Sequence, residues 1–148
     1  MTIREVQEWL ERGWELNTEI HELRAIEKTI RERCTGITPS YSTEPKGGTA
    51  NPHKFDALAS FSDDIGRHCK ELAEVSSEIH AAISGLPRGK ETNKYRRLLE
   101  LRYLNFCTFE QIAVMMNYSW RHVHRVHNEA LCAIKDVIEC HIHEGLKW

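Results

Sequence analysis

The chain has 148 residues and a formal net charge of −2, with 41% hydrophobic and 28% charged residues. This composition is typical of a globular chain and excludes an intrinsically disordered one. No apolar run approaches the roughly 20 residues that a membrane span requires, and the charged N-terminus has no signal-peptide pattern, so we expect a cytoplasmic protein without a membrane partner.

The N-terminal part is predicted to be a coiled-coil-like helical hairpin over residues 1–87. Apolar residues at helical spacing predict one helix over residues 2–34. A second helix is predicted from Asn51 to about Ser84, because its apolar residues follow a heptad pattern. Residues 36–51 are rich in Pro, Gly, Ser and Thr, which predicts a long mobile loop. Neither helix can bury its apolar stripe alone, so a second copy of the chain is a candidate partner.

Residues 88–148 are predicted to form a second domain of three shorter helices. Residues 88–128 contain eight Lys and Arg against three Asp and Glu, a net charge of +5. A basic segment of this size indicates an acidic partner such as nucleic acid, although the overall pI is near 6.5. Thr92 is expected to cap the first of these helices, over about residues 93–105.

The last two helices are predicted from their capping residues. Thr108 with Gln111 has the spacing of a capping box, which begins a short helix. Asn117 is suited to the left-handed conformation that ends a helix. Ser119 is expected to cap the final helix, which extends to about His141. The predicted fold class is therefore all-α, a long helical hairpin followed by a helix-turn-helix domain.

A short helix, a tight turn and a second helix with an outward polar face form the helix-turn-helix pattern, whose second helix enters the major groove of duplex DNA. If Val123 and Val126 face the core, the residues predicted to read bases from the opposite side are Trp120, Arg121, His124, Arg125 and Asn128. Arg can pair with guanine and Asn with adenine, and Trp120 can pack on a thymine methyl group or a sugar.

Further basic and polar side chains are predicted to contact DNA phosphates, which set the register without reading sequence. They are Lys94, Arg96, Arg97, Arg102, Ser119, His122 and His127. Because histidine donates more strongly when it is protonated, we expect DNA binding to strengthen modestly below about pH 6.5.

The stretch IAVMMNYSWRHVHRVHNEALCAI resembles region 4 of sigma-70-type factors. The longer stretch LLELRYLNFCTFEQIAVMMNYSWRHVHRVHNEAL is similar to phage-encoded regulators of the ArpU/RinA type, in which such a domain follows an N-terminal helical region. The resemblance implies a DNA-binding transcription regulator of late phage genes, acting in the bacterial host cell, with RNA polymerase as a further candidate partner. It implies a phosphate contact at Thr108 and base-facing positions at Trp120, Arg121, His124 and Arg125.

The chain departs from region 4 at two positions, where Trp120 and His122 stand in place of the usual Arg or Glu. A −35-like target sequence therefore does not follow from the resemblance. No segment resembles the sigma region that binds the −10 element, so the chain is not expected to be a complete sigma factor.

Several alternatives remain open from the sequence. A small-terminase-like packaging protein also combines a helix-turn-helix with a helical oligomerisation arm, and an RNA-polymerase-binding protein could use the same helices with weak DNA affinity. A plain three-helix bundle with a solvated charged face is the least specific interpretation. No catalytic motif, metal site or cofactor is expected, because the histidines adjoin cationic groups and the five cysteines have no CxxC spacing.

Overall fold

A computed structural model describes residues 1–34 and 53–145, apart from the side chains of residue 34 and residues 53–55. This part of the chain contains five helices and no strand, which confirms the all-α class and the long N-terminal helix. The predicted mobile loop, residues 36–51, and the predicted helix start at Asn51 lie outside the described residues. Among the described helices, none is long and apolar enough to cross a membrane.

The helices follow the predicted order closely. The first two are α1 (Ile3–Cys34) and α2 (His53–Ser84), and the remainder are α3 (Lys90–Tyr103), α4 (Phe109–Met116) and α5 (Trp120–Gly145). α3 begins earlier than predicted: Gly89 is its N-cap, and the Thr92 hydroxyl donates to the Gly89 carbonyl at 3.3 Å. α5 runs beyond the predicted end at His141.

The chain divides into two compact units that differ from the predicted domains. Unit 1 comprises residues 1–15 and 72–148, and unit 2 comprises residues 16–71. The predicted boundary between residues 87 and 88 therefore falls inside unit 1. The physical reason is a shared core, because side chains from the start of α1 and the end of α2 are buried with those of α3 and α5.

The larger core of unit 1 joins four helices. Its fully buried side chains include Val6 and Leu10 of α1, Ile83 of α2, Tyr103 of α3 and Ile134 of α5. At the surface of the same unit, the Arg12 guanidinium contacts the Glu78 carboxylate at 2.8 Å and lies 4.6 Å from the Trp9 ring centroid. The start of α1 and the end of α2 therefore support the helices that carry the predicted site.

Unit 2 contains the rest of α1 and α2 and has a thinner core. Ile20 and Ile65 are its buried apolar side chains among the described residues. The His68 Nδ1 atom lies 3.6 Å from the Glu19 carboxylate, and the Arg24 guanidinium lies 3.7 Å from the Cys69 sulfur. Burial of so few apolar side chains contributes little to stability by itself.

Candidate functional site

The turn between α4 and α5 is fixed by local hydrogen bonds. At the start of α4 the Thr108 hydroxyl accepts from the Gln111 backbone N–H at 3.3 Å, and the Gln111 side chain accepts from the Thr108 N–H at 3.0 Å. Asn117 ends α4 in the left-handed conformation, with φ 55° and ψ 46°. The Ser119 hydroxyl then accepts from the His122 N–H at 3.3 Å, which caps α5. The three caps predicted for α4 and α5 are confirmed.

The first turns of α5 present one polar face to solvent. Val123 and Val126 are fully buried in a second core that packs α5 against α3 and α4. Four of the five side chains predicted to read bases are exposed in these turns: Trp120, Arg121, Arg125 and Asn128. Trp120 has 57% of its surface exposed, which is unusual for so large an apolar side chain.

Trp120 is the outer end of a stack of side chains that crosses unit 1. Its ring centroid lies 4.1 Å from that of His124, and His124 lies 4.4 Å from Phe109. The Arg102 guanidinium lies 4.4 Å from the Phe109 centroid and 4.4 Å from the Trp14 centroid. We call these five residues the stacked column. It connects α1, α3, α4 and α5 and gives the Trp120 ring a defined support.

His124 is the fifth predicted base-reading residue, and the structure places it within the stacked column. Its Nε2 atom is buried and has no hydrogen-bond partner among the described residues. A buried nitrogen is not positioned to reach a base edge, so its burial does not favour the predicted base-reading role of His124. The ring contacts of His124 instead hold Trp120 in position, as expected for side chains four residues apart on a helix.

His127, which the sequence predicts as a phosphate contact, is buried within the protein. Only 5% of its surface is exposed, and its Nε2 atom is hydrogen-bonded to the Tyr103 hydroxyl at 2.8 Å. Burial, with smaller contributions from the nearby Arg102 and His124, lowers the pKa of His127 to about 4. The side chain is therefore neutral in the pH range where it was expected to gain charge. Its role is to join α3 and α5.

Two of the predicted phosphate-binding arginines are also engaged within the protein. The Arg96 guanidinium donates to the Ser84 carbonyl at 2.8 Å and to the Leu86 carbonyl, so it caps the end of α2. The Arg102 guanidinium donates to the Cys107 carbonyl at 3.1 Å and lies inside the stacked column. The Nε atoms of both are buried. Both guanidinium groups are therefore engaged in contacts within the protein.

The other predicted phosphate contacts are closer to solvent. Arg97, Thr108 and Ser119 are exposed. Lys94 is half-buried and forms an ion pair with Glu91, which raises the pKa of the Lys94 ammonium group. The His122 Nδ1 atom lies 2.9 Å from the Arg125 guanidinium.

A small surface cavity lies at the N-terminal end of α5, where cationic and polar groups converge. Ser119, Arg121, His122 and Arg125 line it. Residues 120–128 contain no Asp or Glu, and the next carboxylate along the helix, Glu129, accepts from the Tyr95 hydroxyl at 3.0 Å and lies 3.8 Å from the Arg125 Nε atom. The positive end of the helix dipole adds to the Arg charges, so this cavity favours anionic groups.

The aromatic residues that support this face were not predicted from the sequence. Phe109 contacts His124, Arg102 and His127, and the Tyr118 ring centroid lies 4.4 Å from that of His122. Phe109 directly follows the helix cap, where an apolar residue is common. Its position in the sequence therefore did not indicate a contact with His124. The four-residue spacing of Trp120 and His124 did indicate that their side chains are in contact, since such pairs are neighbours on a helix.

No group of three or more potential metal ligands converges anywhere in residues 1–34 or 53–145. Comparisons of the chain with protein-family models, with curated proteins and with solved structures found no match.

Proposed function

We propose that this chain is a sequence-specific duplex-DNA-binding transcription regulator that reads the major groove with the first turns of α5. The observation that carries the proposal is the shared exposure of Trp120, Arg121, Arg125 and Asn128 in the first turns of α5, while Val123 and Val126 are buried. An α-helix fits the width of the major groove, so side chains on this face can reach base edges.

The chemistry of the exposed face suits base edges. Arg121 and Arg125 carry planar guanidinium groups, which can pair with guanine in a bidentate manner. Asn128 can donate to and accept from adenine. The α5 face is thus a set of side chains able to distinguish base pairs, in contrast to an evenly charged surface that only attracts phosphates.

Phosphate contacts around this face would orient α5 in the groove. Arg97 on α3 is exposed, and the exposed Ser119 hydroxyl can donate to a phosphate while it accepts its cap hydrogen bond, whereas the Thr108 hydroxyl already donates to Glu110. The cavity beside Ser119 offers two guanidinium groups and the N-terminal end of α5. Such contacts supply affinity that is independent of sequence and sensitive to salt.

The regulatory part of the proposal rests on the resemblance to sigma region 4 and to phage-encoded late-gene regulators. A small-terminase-like packaging protein would share the DNA-binding face. The two functions differ in assembly, because packaging proteins of that kind form rings. Solution mass in the presence of DNA separates them: a monomer or dimer supports regulation, and a ring of eight or more copies supports packaging.

Selection of bound sites from random duplexes, followed by titration of the selected site, tests DNA binding directly. We expect tight binding at about 50 mM salt and a steep loss of affinity as salt rises, since each neutralised phosphate releases counterions. Arg121→Ala and Arg125→Ala should each cost about 1–3 kcal/mol on the selected site and less on unrelated duplexes. Absence of binding at low salt would overturn the proposal.

A second candidate, a protein-binding function such as contact with RNA polymerase, is favoured by the outer surface of α4. Val114 is 81% exposed and Met115 is 52% exposed, beside a groove that also includes Cys107 and Glu110. Hydrogen bonds from its own backbone N–H and from Thr108 lower the pKa of Glu110 and keep it anionic. If this is the main function, the double variant Val114→Ser with Met115→Ser would abolish binding to the partner protein and leave the affinity for DNA unchanged.

A further inference from the structure

Trp120 combines a large exposed apolar surface with a position at the first residue of α5. The other exposed side chains on this face, Arg121, Arg125 and Asn128, are polar and can pair with base edges. The indole ring can donate only one hydrogen bond and is otherwise apolar. Its presence therefore requires a different explanation from that of its polar neighbours.

The stacked column limits where the Trp120 ring can point. His124 supports one side of the ring at 4.1 Å, and Phe109 supports His124 at 4.4 Å. Phe109 is itself held by the Arg102 guanidinium, which packs on Trp14. A supported ring loses less conformational entropy on binding than a free one, so a contact made by its open side contributes more affinity.

The major groove offers few apolar groups to such a ring. Base edges there present hydrogen-bond donors and acceptors, and the one apolar substituent is the C5-methyl group of thymine. The same methyl group occurs on 5-methylcytosine and is absent from uracil and unmodified cytosine. An apolar ring fixed at the start of a helix in this groove thus has a chemically defined counterpart.

Resting on the proposed function, we propose that Trp120 reads a pyrimidine C5-methyl group, so that the site recognised by α5 requires thymine or 5-methylcytosine at one position. His124 and Phe109 act as positioning residues for this contact, because they touch Trp120 or its support. Burial of one methyl group against the ring predicts a preference of about fourfold.

The test replaces each thymine of the selected site, one at a time, with deoxyuridine, which removes only the methyl group. The wild-type protein should show one position at which this change weakens binding about fourfold, and 5-methylcytosine should bind better than cytosine at that position. In Trp120→Ala the two duplexes should bind equally. His124→Ala should also reduce the preference, with a thermal melt to show that the variant is folded.

Arg121→Ala is the matched control, because it weakens binding to both duplexes and leaves their ratio unchanged. If no thymine in the site is sensitive to deoxyuridine, or if Trp120→Ala keeps the preference, the inference is wrong while DNA binding stands. Equal weakening of both duplexes by Trp120→Ala, with no preference in the wild type, would assign the ring to a sugar. Absence of any salt-dependent DNA binding would overturn the proposed function and this inference together.

Discussion

The Tyr103 hydroxyl and the His127 Nε2 atom form a hydrogen bond of 2.8 Å between α3 and α5, and both side chains are buried. Burial raises the pKa of the Tyr103 hydroxyl, so it stays protonated, and the tautomer of the neutral imidazole decides which of the two atoms donates. The Phe109 ring centroid lies 5.1 Å from that of His127, in an edge-on arrangement. The Tyr103–His127 pair therefore joins α3 to α5, and the contact of His127 with Phe109 links both helices to the start of α4.

Tyr103→Phe should destabilise the protein by about 1–3 kcal/mol, because it leaves the buried His127 nitrogen without a partner. Urea unfolding at pH 7.5 measures the change. The matched control is Tyr95→Phe, which removes a hydroxyl that donates to the partly exposed Glu129 carboxylate. Since water can replace that contact, Tyr95→Phe should lower stability less than Tyr103→Phe does. Equal losses in the two variants would contradict the structural importance assigned to the buried pair.

The free energy of unfolding should decrease as the pH is lowered, because of His127. Its pKa of about 4 in the folded protein lies below the unfolded value near 6.5, so the unfolded chain binds the proton first as pH falls. Stability is unaffected by this group above pH 6.5 and decreases from there towards pH 4, by about 2 kcal/mol at pH 5. Urea unfolding between pH 7.5 and 5 should show this loss.

His127→Gln provides the comparison for this pH dependence. The variant should be less stable at pH 7.5, yet the part of the pH dependence that His127 contributes should disappear. If wild type and variant lose stability in parallel between pH 7 and 5, another group is responsible. The same protonation state also revises the expected pH dependence of DNA binding, since His127 can no longer contribute charge to it.

The local features of this fold could be predicted from the sequence. Thr108, Asn117 and Ser119 act within one turn of their own positions, so their residue types and spacing were sufficient to place α4, the turn and α5. The separation of Val123 and Val126 from the exposed face followed from helical periodicity alone. By contrast, the left-handed Phe106, with φ 54°, had no such signal, because this residue type rarely adopts that conformation.

The long-range contacts of the site could not be predicted in this way. His127 lies on the same side of α5 as Val123, but its polarity favoured an exposed assignment, and its partner Tyr103 is 24 residues earlier in the chain. Arg102 was interpreted as a phosphate contact because it is basic, whereas its neighbours in the structure are Trp14 and Phe109. Charge alone does not distinguish an arginine that binds DNA from one that packs on aromatic rings.

Replacement by Ala should affect different properties at Arg97 and Arg102, which lie five residues apart on α3. Arg97→Ala should leave stability nearly unchanged and reduce the salt dependence of DNA binding by about one phosphate contact. Arg102→Ala should lower stability by about 1–3 kcal/mol, because it removes two ring contacts and the hydrogen bond to Cys107. Thermal melts and titrations at several salt concentrations measure both properties. A stable Arg102→Ala protein with reduced salt dependence would restore the phosphate role.

Gly85 and Gly66 provide a matched pair for the packing at the end of α2. A Cβ atom at Gly85 would lie 2.8 Å from the Val137 Cγ1 atom of α5 and 3.3 Å from the Ala82 carbonyl oxygen, whereas one at Gly66 would have no neighbour within 4 Å. Gly85→Ala should therefore destabilise the protein by about 1–3 kcal/mol, because Val137 is packed against the core and cannot move freely. Gly66→Ala should instead stabilise α2 by about 0.5–1 kcal/mol.

Chemical unfolding of the two glycine variants measures both changes under the same conditions. The double variant Gly85→Ala with Val137→Ala should recover part of the loss, since the smaller side chain makes room for the new methyl group. A neutral Gly85→Ala would show that α2 and α5 do not approach as closely as described. Because α5 carries the exposed Arg121 and Arg125, a shift of α5 in Gly85→Ala should also weaken DNA binding, which Gly66→Ala should leave unchanged.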